Sequence, residues 1–158
     1  MSASSADIVI EVSIRAASSA DMLSVGLIER ESFADPWGSR EFSSALASPN
    51  TIFLIAHDSA GIVVGYVIAI SAADEAEILN LAVRPAQRGH GIGARLLDTA
   101  IAKVKELGAE QVYLEVRESN EPAKVLYKSR GFDEVSRRRR YYRDPVEDAL
   151  ILHLAVQR

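Results

Sequence analysis

The sequence predicts a single α/β domain over residues 1–158: a mixed, mostly antiparallel central sheet with one parallel strand pair, flanked by helices. Three observations carry that expectation. The run Ile78-Leu79-Asn80-Leu81-Ala82-Val83 is followed by a loop holding Gly89, Gly91 and Gly93, an amphipathic helix to Leu107 and a second apolar strand, Gln111 to Val116. A strand, a helical crossover and another strand make a parallel pair. Ahead of that unit, Thr51 to Ala56 and Ile62 to Ile70 flank Asp58-Ser59-Ala60-Gly61, a hairpin signal that makes the first half an antiparallel meander. A last hairpin, Phe132 to Arg143 and Ala149 to Val156, turns around Asp144-Pro145. At 158 residues and 48% hydrophobic content, the chain has material for one substantial core.

Taken in order, Ile8, Ile10, Val12 and Ile14 alternate and predict a first strand over Ile8 to Ile14 with one buried face. Ser18-x-x-Asp21 has the form of a capping box, and the helix it opens is expected to turn Leu23, Leu27 and Ile28 inward and to run to about Ser32. Ser39 is the expected cap of a second helix through Phe42 and Leu46, ended by Pro49. The helix from Gly91 carries Ile92, Leu96, Leu97, Ile101, Val104 and Leu107 on one face and closes at Gly108. Asn120 caps the next helix, Pro122 is tolerated in its first turn and Gly131 stops it.

Composition removes several function classes. A net charge of −4 argues against generic nucleic-acid affinity, and the absence of cysteine removes disulfides, thiolate metal sites and a cysteine acyl-enzyme. His57, His90 and His153 show no metal spacing. Met1 to Asp7 lacks the basic and apolar regions of a signal peptide, and no run is long enough to span a bilayer, so a cytoplasmic protein is expected. The run Arg137 to Arg140 alternates faces along a strand, with Arg137 and Arg139 opposite Arg138 and Arg140, as a solvated edge strand would.

The chemistry begins at the glycine loop. A strand feeding a glycine-rich helix start holds anions, because the first helical turn has unpaired N–H groups and about half a positive charge. The plainer alternative is a loop that uses glycine only to turn. A Walker loop is excluded, since no Gly-Lys-Ser/Thr follows, and Gly89-x-Gly91-x-x-Ala94 fits the dinucleotide fingerprint only formally, with Arg84 to Arg88 intervening after the strand. On the strand Gln111 to Val116, Tyr113, Glu115 and Arg117 share one face. Asn120 and Tyr127, about two helical turns apart, share one face of the following helix. Glu115 and Tyr127 are thereby expected at the mouth between the two parallel strands. The bland alternatives are a solvated carboxylate paired with Arg117 and a core phenol.

Arg88-x-x-Gly91-x-Gly93, preceded by Leu81-Ala82-Val83-Arg84-Pro85, resembles the acyl-CoA signature of the GCN5-related N-acetyltransferase family. The resemblance covers most of the chain and implies that family's fold, with its parallel strands splayed. The stretch from Leu114-Glu115-Val116-Arg117 through Asn120 and Leu126-Tyr127 to Gly131-Phe132 looks like the RimI-type ribosomal-protein-alanine N-acetyltransferases. A Glu121-Pro122 pair departs from the small residues common there. Phe33-x-x-Pro36-Trp37 resembles the acceptor-side loop of that group, and Arg139-x-Tyr141-Tyr142 with Glu147-Asp148-Ala149 its final hairpin.

The resemblance implies transfer of acetyl from acetyl-CoA, without a metal, to a protein N-terminus, alanine first, with a ribosomal protein as partner. It makes Glu115 the general base and Tyr127 the general acid. It assigns Arg88, Gly89, His90, Gly91, Ile92, Gly93 and Ala94 to the pyrophosphate and Asn120 to the pantetheine arm. Leu81, Ala82 and Val83 would face the thioester, and Phe33, Pro36, Trp37, Tyr141 and Tyr142 would wall the acceptor in a small slot. Acetylation of lysine or a small amine, and a non-enzymatic acyl-CoA sensor, are the alternatives on the same fold.

Overall fold

Seven strands and four α-helices form over residues 11–156, the part of the chain that the computed structural model describes. Strand β1 is Ser13–Ala16, and helices α1 and α2 are Met22–Ser32 and Ser39–Ala47. The meander follows as β2 Thr51–His57, β3 Val63–Ala72 and β4 Glu75–Val83. Then come α3 Ile92–Glu106, β5 Gln111–Arg117, α4 Glu121–Ser129 and the hairpin of β6 Asp133–Arg143 and β7 Val146–Ala155. The sheet order is β1-β2-β3-β4-β5-β7-β6, antiparallel throughout except for β4 and β5. This is the mixed sheet that the crossover helix requires.

The N-terminal part departs from expectation in three places. The expected first strand, Ile8 to Ile14, begins only at Ser13 within the described residues, and Ile8 and Ile10 lie outside them. In α1 the buried positions are Val25, Ile28 and Glu29, whereas Leu23 and Leu27 are 86% and 53% exposed. Leu23 and Leu27 lie on the side of the helix opposite Val25, Ile28 and Glu29, and it is the latter side that faces the sheet. The Ser18–Asp21 box forms as expected, with the Ser18 N–H donating to Asp21 Oδ2 at 2.8 Å, but it heads a short 3-10 turn over Ser19–Asp21 before α1 proper. Helix α2 is capped by Gly38 rather than Ser39, with the Glu41 carboxylate accepting from the Gly38 N–H at 3.0 Å.

Two apolar layers sandwich the sheet. On one face α3 buries Ile92, Leu96, Leu97, Ala100 and Val104 against Leu54, Val67 and Ile78, while Leu107 at its end is left exposed. On the other, Phe42 of α2 and Val25 and Ile28 of α1 pack on Phe53, Ile55, Tyr66 and Ile68. Burying each such side chain contributes roughly 1.5–3 kcal/mol.

The element that positions the site is a bulge in β4. Ile68 pairs with Asn80 and Ala69 with Ile78, so Leu79 is an extra residue on β4. A bulge re-aims the side chains beyond it. Before Leu79, the even positions Ala76 and Ile78 pack toward α3; after it, Ala82 joins the α1–α2 layer while Leu81 and Val83 pack toward α3. The parallel ladder stops at the same point, its last pair being Ile78 with Leu114. Strand β5 runs on beside β7 to Arg117, which faces Ala149. Beyond Ile78 and Leu114 the two parallel strands therefore part.

Candidate active site

The gap between β4 and β5 opens on one side into a groove of about 730 Å³. Leu81, Ala82 and Val83 line one wall, and Arg88, Gly89, Gly91, Ile92, Gly93 and Ala94 line the end where α3 begins. Gly91 is the N-cap of α3 with φ +79, and Gly89 has φ +84, left-handed values that a β-carbon makes costly. The first N–H groups of α3 have no helical acceptor and point along the helix start, so they present both donors and the positive dipole end to an anion.

Arg88 contributes differently from the expectation that it reaches a phosphate. Its Nε donates to the Val83 carbonyl at 2.9 Å and its Nη2 to Ser32 Oγ at 3.1 Å, so it locks the loop to β4 and to the end of α1. His90 is not part of the groove wall, and Gln87, which the motif did not single out, is. On the opposite wall Asn120 caps α4 by accepting from the Ala123 N–H at 3.2 Å. Tyr127 lies on the same wall, as the helical spacing requires.

Tyr127 also belongs to a smaller slot of about 110 Å³, whose walls include Glu115, Asn80, Leu81, Phe33, Arg117 and Tyr142. Glu115 in turn shares the wall of a third hollow, about 500 Å³, with Glu77, Tyr113 and Arg138. Glu115 and Tyr127 thus share the wall of one slot, with Tyr127 also lining the groove and Glu115 also lining the third hollow. The Tyr127 phenol is 8% exposed and its pKa is pushed well above the ordinary tyrosine value, by burial first and by Tyr142 second. It stays protonated, and it is a weaker acid than an unburied phenol.

Glu115 pairs with Arg138, Oε1 to Nε at 3.4 Å, and not with Arg117. A pair of that length with a largely exposed arginine is worth about 0–1 kcal/mol, and the Arg138 guanidinium also lies 5.3 Å from the centre of the Tyr141 ring. The charge of Glu115 is felt around it. It is the main cause raising the Tyr141 pKa, and it is second to burial in raising Glu77 and in lifting Tyr142 to about 12.

Arg117 serves as a staple. Its Nη1 donates to Glu147 Oε1 at 3.0 Å and to the Pro145 carbonyl at 3.1 Å, its Nη2 reaches Asp35 at 3.5 Å, and its guanidinium lies 4.1 Å from the centre of the Tyr142 ring. It therefore ties the α1–α2 loop and the β6–β7 hairpin together over the slot. Of the aromatics expected there, Phe33 and Tyr142 line the slot, and Tyr141 stands beside Tyr142 at 5.2 Å, 47% exposed. Trp37 is not in that wall. Its ring packs 5.5 Å from Phe42 in the α1–α2 layer, and Pro36 likewise stays outside.

The strict alternation expected of Arg137 to Arg140 fails, because two extra residues enter between the pairs Arg138 with Ala149 and Tyr142 with Glu147. Arg140 takes φ +53 there, and its N–H donates to Asp148 Oδ1 at 2.9 Å. Strand β6 is the sheet edge, and Arg137 is tied to Glu118 and Asp148.

Beneath the slot lies a buried polar cluster that sequence reasoning missed. Glu29, 1% exposed, accepts from the Tyr66 hydroxyl, from Asn80 Nδ2 at 3.1 and 3.2 Å, and from the Trp37 N–H at 2.8 Å. Burial and the Glu29 charge raise the Tyr66 pKa far above its ordinary value. Asn80 interrupting an otherwise apolar strand was the available signal.

Known proteins resemble this chain in sequence and fold. The model of the acetyltransferase (GNAT) family matches residues 22–132. A putative ribosomal protein bS18-alanine N-acetyltransferase of Bacillus subtilis is 37% identical over 130 residues, 82% of this chain and 85% of that one. The ribosomal protein bS18-alanine N-acetyltransferase of Escherichia coli is 35% identical over 131 residues, 82% of this chain and 87% of its own. The crystal structure of the ribosomal-protein-S18-alanine N-acetyltransferase from Escherichia coli superposes with TM-score 0.86 at 31% identity, covering 94% of this chain and 96% of that one.

Proposed function

This chain belongs to the acetyltransferase (GNAT) family and is an acetyl-CoA-dependent N-acetyltransferase, and we propose that its acceptor is a protein's terminal α-amine, alanine first. A ribosomal protein is the acceptor that the names of its relatives favour, and a cytoplasmic location follows from that partner. The observation that carries the proposal is the shared slot: Glu115 and Tyr127 line one small space, Tyr127 also lining the groove and Glu115 the hollow.

In this reading the backbone donors at the start of α3 hold the pyrophosphate, Asn120 the pantetheine arm, and the strand edge near Val83 the thioester oxygen. A terminal amine has a pKa near 8, so roughly a tenth is neutral at pH 7, and Glu115 takes the remaining proton as the nitrogen attacks. The N–C bond forms, the C–S bond breaks, and the phenolic proton of Tyr127 passes to the departing sulfur. Because burial raises the Tyr127 pKa, the proton has to move as the C–S bond opens, since full thiolate release first would leave a steep transfer behind.

The slot of about 110 Å³ leaves room for a small first side chain, and forcing extra bulk into packed surroundings costs about 1–3 kcal/mol. Mass spectrometry of peptides with varied first residues, incubated with acetyl-CoA, tests the proposal. Acetylation at the terminal nitrogen with alanine or another small residue preferred supports it. Modification of internal lysine at the same rate removes it.

A further inference from the structure

Glu29 is 1% exposed near the end of α1, and it holds the following loop at both ends. Its main-chain carbonyl accepts from the Phe33 N–H at 3.0 Å, and its carboxylate accepts from the Trp37 N–H at 2.8 Å. Among the described residues, these are the two points at which the main chain of residues 33–37 is hydrogen-bonded to the rest of the protein. The first bond continues the helical pattern and needs no particular side chain. The second needs an acceptor that reaches back across the loop, and the carboxylate supplies it. That carboxylate is anchored to the sheet in turn, where the Tyr66 hydroxyl of β3 and Asn80 Nδ2 of β4 donate to it. Replacing a buried charged cluster wholesale by apolar side chains is often neutral for stability, so stability alone does not account for Glu29.

What the loop carries is the acceptor side of the site. Phe33 and Asp35 are in the slot wall with Glu115 and Tyr127, and Asp35 reaches Arg117 at 3.5 Å. At the near end Ser32, Phe33 and Ala34 also line the groove, and Ser32 is held by Arg88. The carboxylate therefore governs the far half of the loop, of which Asp35 borders the slot and no residue borders the groove.

We infer that Glu29 is a positioning residue for the acceptor: by holding the Trp37 N–H it sets Phe33 and Asp35 against the first residue of the incoming chain, while itself lining neither slot nor groove. This deepens the terminal-amine reading and rests on it. A loop fixed before the acceptor arrives leaves less ordering to be done on binding, and that difference appears in KM rather than in the chemical step.

The test measures kcat and KM for a peptide beginning with alanine, with acetyl-CoA affinity alongside, in the full-length wild type, Glu29→Met, Glu29→Gln and Val25→Ala. Methionine keeps the length of the side chain and removes the strong acceptor, whereas glutamine keeps an oxygen for the Trp37 N–H. Val25→Ala opens the same apolar layer without touching either loop bond, so it controls for lost stability. The inference expects peptide KM to rise about tenfold in Glu29→Met, with kcat within about threefold of wild type and acetyl-CoA affinity unchanged. Glu29→Gln recovers most of that rise, and Val25→Ala keeps the wild-type KM. An unchanged KM in Glu29→Met, an equal rise in Val25→Ala, no recovery in Glu29→Gln or a loss confined to kcat overturns it.

A structure of the wild type with the peptide and a non-reactive thioether analogue of acetyl-CoA decides the matter even if Glu29→Met does not fold. A first peptide residue within about 4.5 Å of Phe33 or Asp35, with the Trp37 N–H still on Glu29, supports the inference. A peptide that lies clear of the loop, or a loop released from Glu29 when the peptide binds, overturns it. A wild type that modifies only lysine removes the terminal-amine reading instead, and the same KM comparison on a lysine peptide then decides the role of Glu29.

Discussion

The cofactor groove and the acceptor slot meet at Tyr127, yet they are assembled differently. One wall of the groove follows local stretches of chain, the edge of β4 from Leu81 to Val83, the left-handed glycines at 89 and 91 and the first turn of α3, and α4 faces it with Leu126 and Tyr127. Of the two arginines in its wall, Arg88 is held by Val83 and Ser32 and Arg117 by Glu147 and Pro145. The slot is drawn from the α1–α2 loop, β4, β5, α4 and the final hairpin, and it is held by charges: Glu29 beneath, Arg138 beside Glu115, and Arg117 across the top. A wall that follows local stretches needs only a local conformation. A slot drawn from several elements needs them in register at once, and it is where variants are expected to alter chemistry and specificity separately.

The largest effects are expected where the slot does chemistry. Glu115→Gln keeps the shape and loses the base, so a loss of about 10² in rate at pH 7 is expected, narrowing as pH rises and more amine is already neutral. Tyr127→Phe is expected to lose rate by a similar order without recovering at high pH, because burial keeps that phenol protonated across the working range. Rate profiles from pH 6 to about 10 for both variants check this. Parallel, pH-independent losses would show that the two roles are misassigned.

Specificity comes next. With the wild type preferring a small first residue about tenfold, Tyr141→Ala is expected to relax that preference while leaving acetyl-CoA affinity alone, since Tyr141 stands at the rim beside Tyr142 and outside the groove. Specificity constants for peptides differing only at the first residue measure it. An unchanged preference would assign selectivity to Phe33 and Tyr142 instead.

On the groove side, Gly91→Ala meets no steric neighbour but must hold φ +79, at a cost of roughly 1–2 kcal/mol. Acetyl-CoA at a hundredfold excess over its dissociation constant stabilises the wild type by about 2.7 kcal/mol. The expected result is a lower melting temperature and weaker acetyl-CoA binding in this variant, whereas Glu115→Gln leaves both near wild type. Binding calorimetry and thermal melts separate the two regions in this way.

The smallest effect concerns a contact remote from both regions. Arg15 donates to both oxygens of Asp21, at 2.8 and 2.9 Å, and this bonding, more than any other cause, lowers the Asp21 pKa from 3.8 to about 2. A lowered carboxylate pKa contributes stability that is present above the unfolded value and lost as pH falls through the folded one. Arg15→Met is therefore expected to melt below the wild type at pH 6, with the gap closing between about pH 4 and pH 2. A gap that persists at pH 2 would mean that Arg15 acts by packing.

What the sequence determined by itself was whatever local chemistry fixes. The crossover helix forced β4 and β5 parallel, alternation put Glu115 on the face opposite Leu114, and the seven-residue interval put Asn120 and Tyr127 on one wall. Glycine spacing located the start of α3 to within a residue. Each of these depends on residues a few positions apart, and period and capping act at that range.

Only the tertiary structure decided the rest. Leu23 and Leu27 turned outward because Val25 and Ile28, on the other side of α1, face the sheet, and Trp37 packed beside Phe42 against the α1–α2 layer. Glu115 found Arg138 rather than Arg117, because Arg117 was drawn to Asp35, Pro145, Glu147 and Tyr142 across two loops. The bulge at Leu79 turned Asn80 toward Glu29, fifty-one residues earlier in the chain. Partners at such separations are chosen by which elements the sheet order makes neighbours, and the pattern along one strand or helix carries no record of that choice.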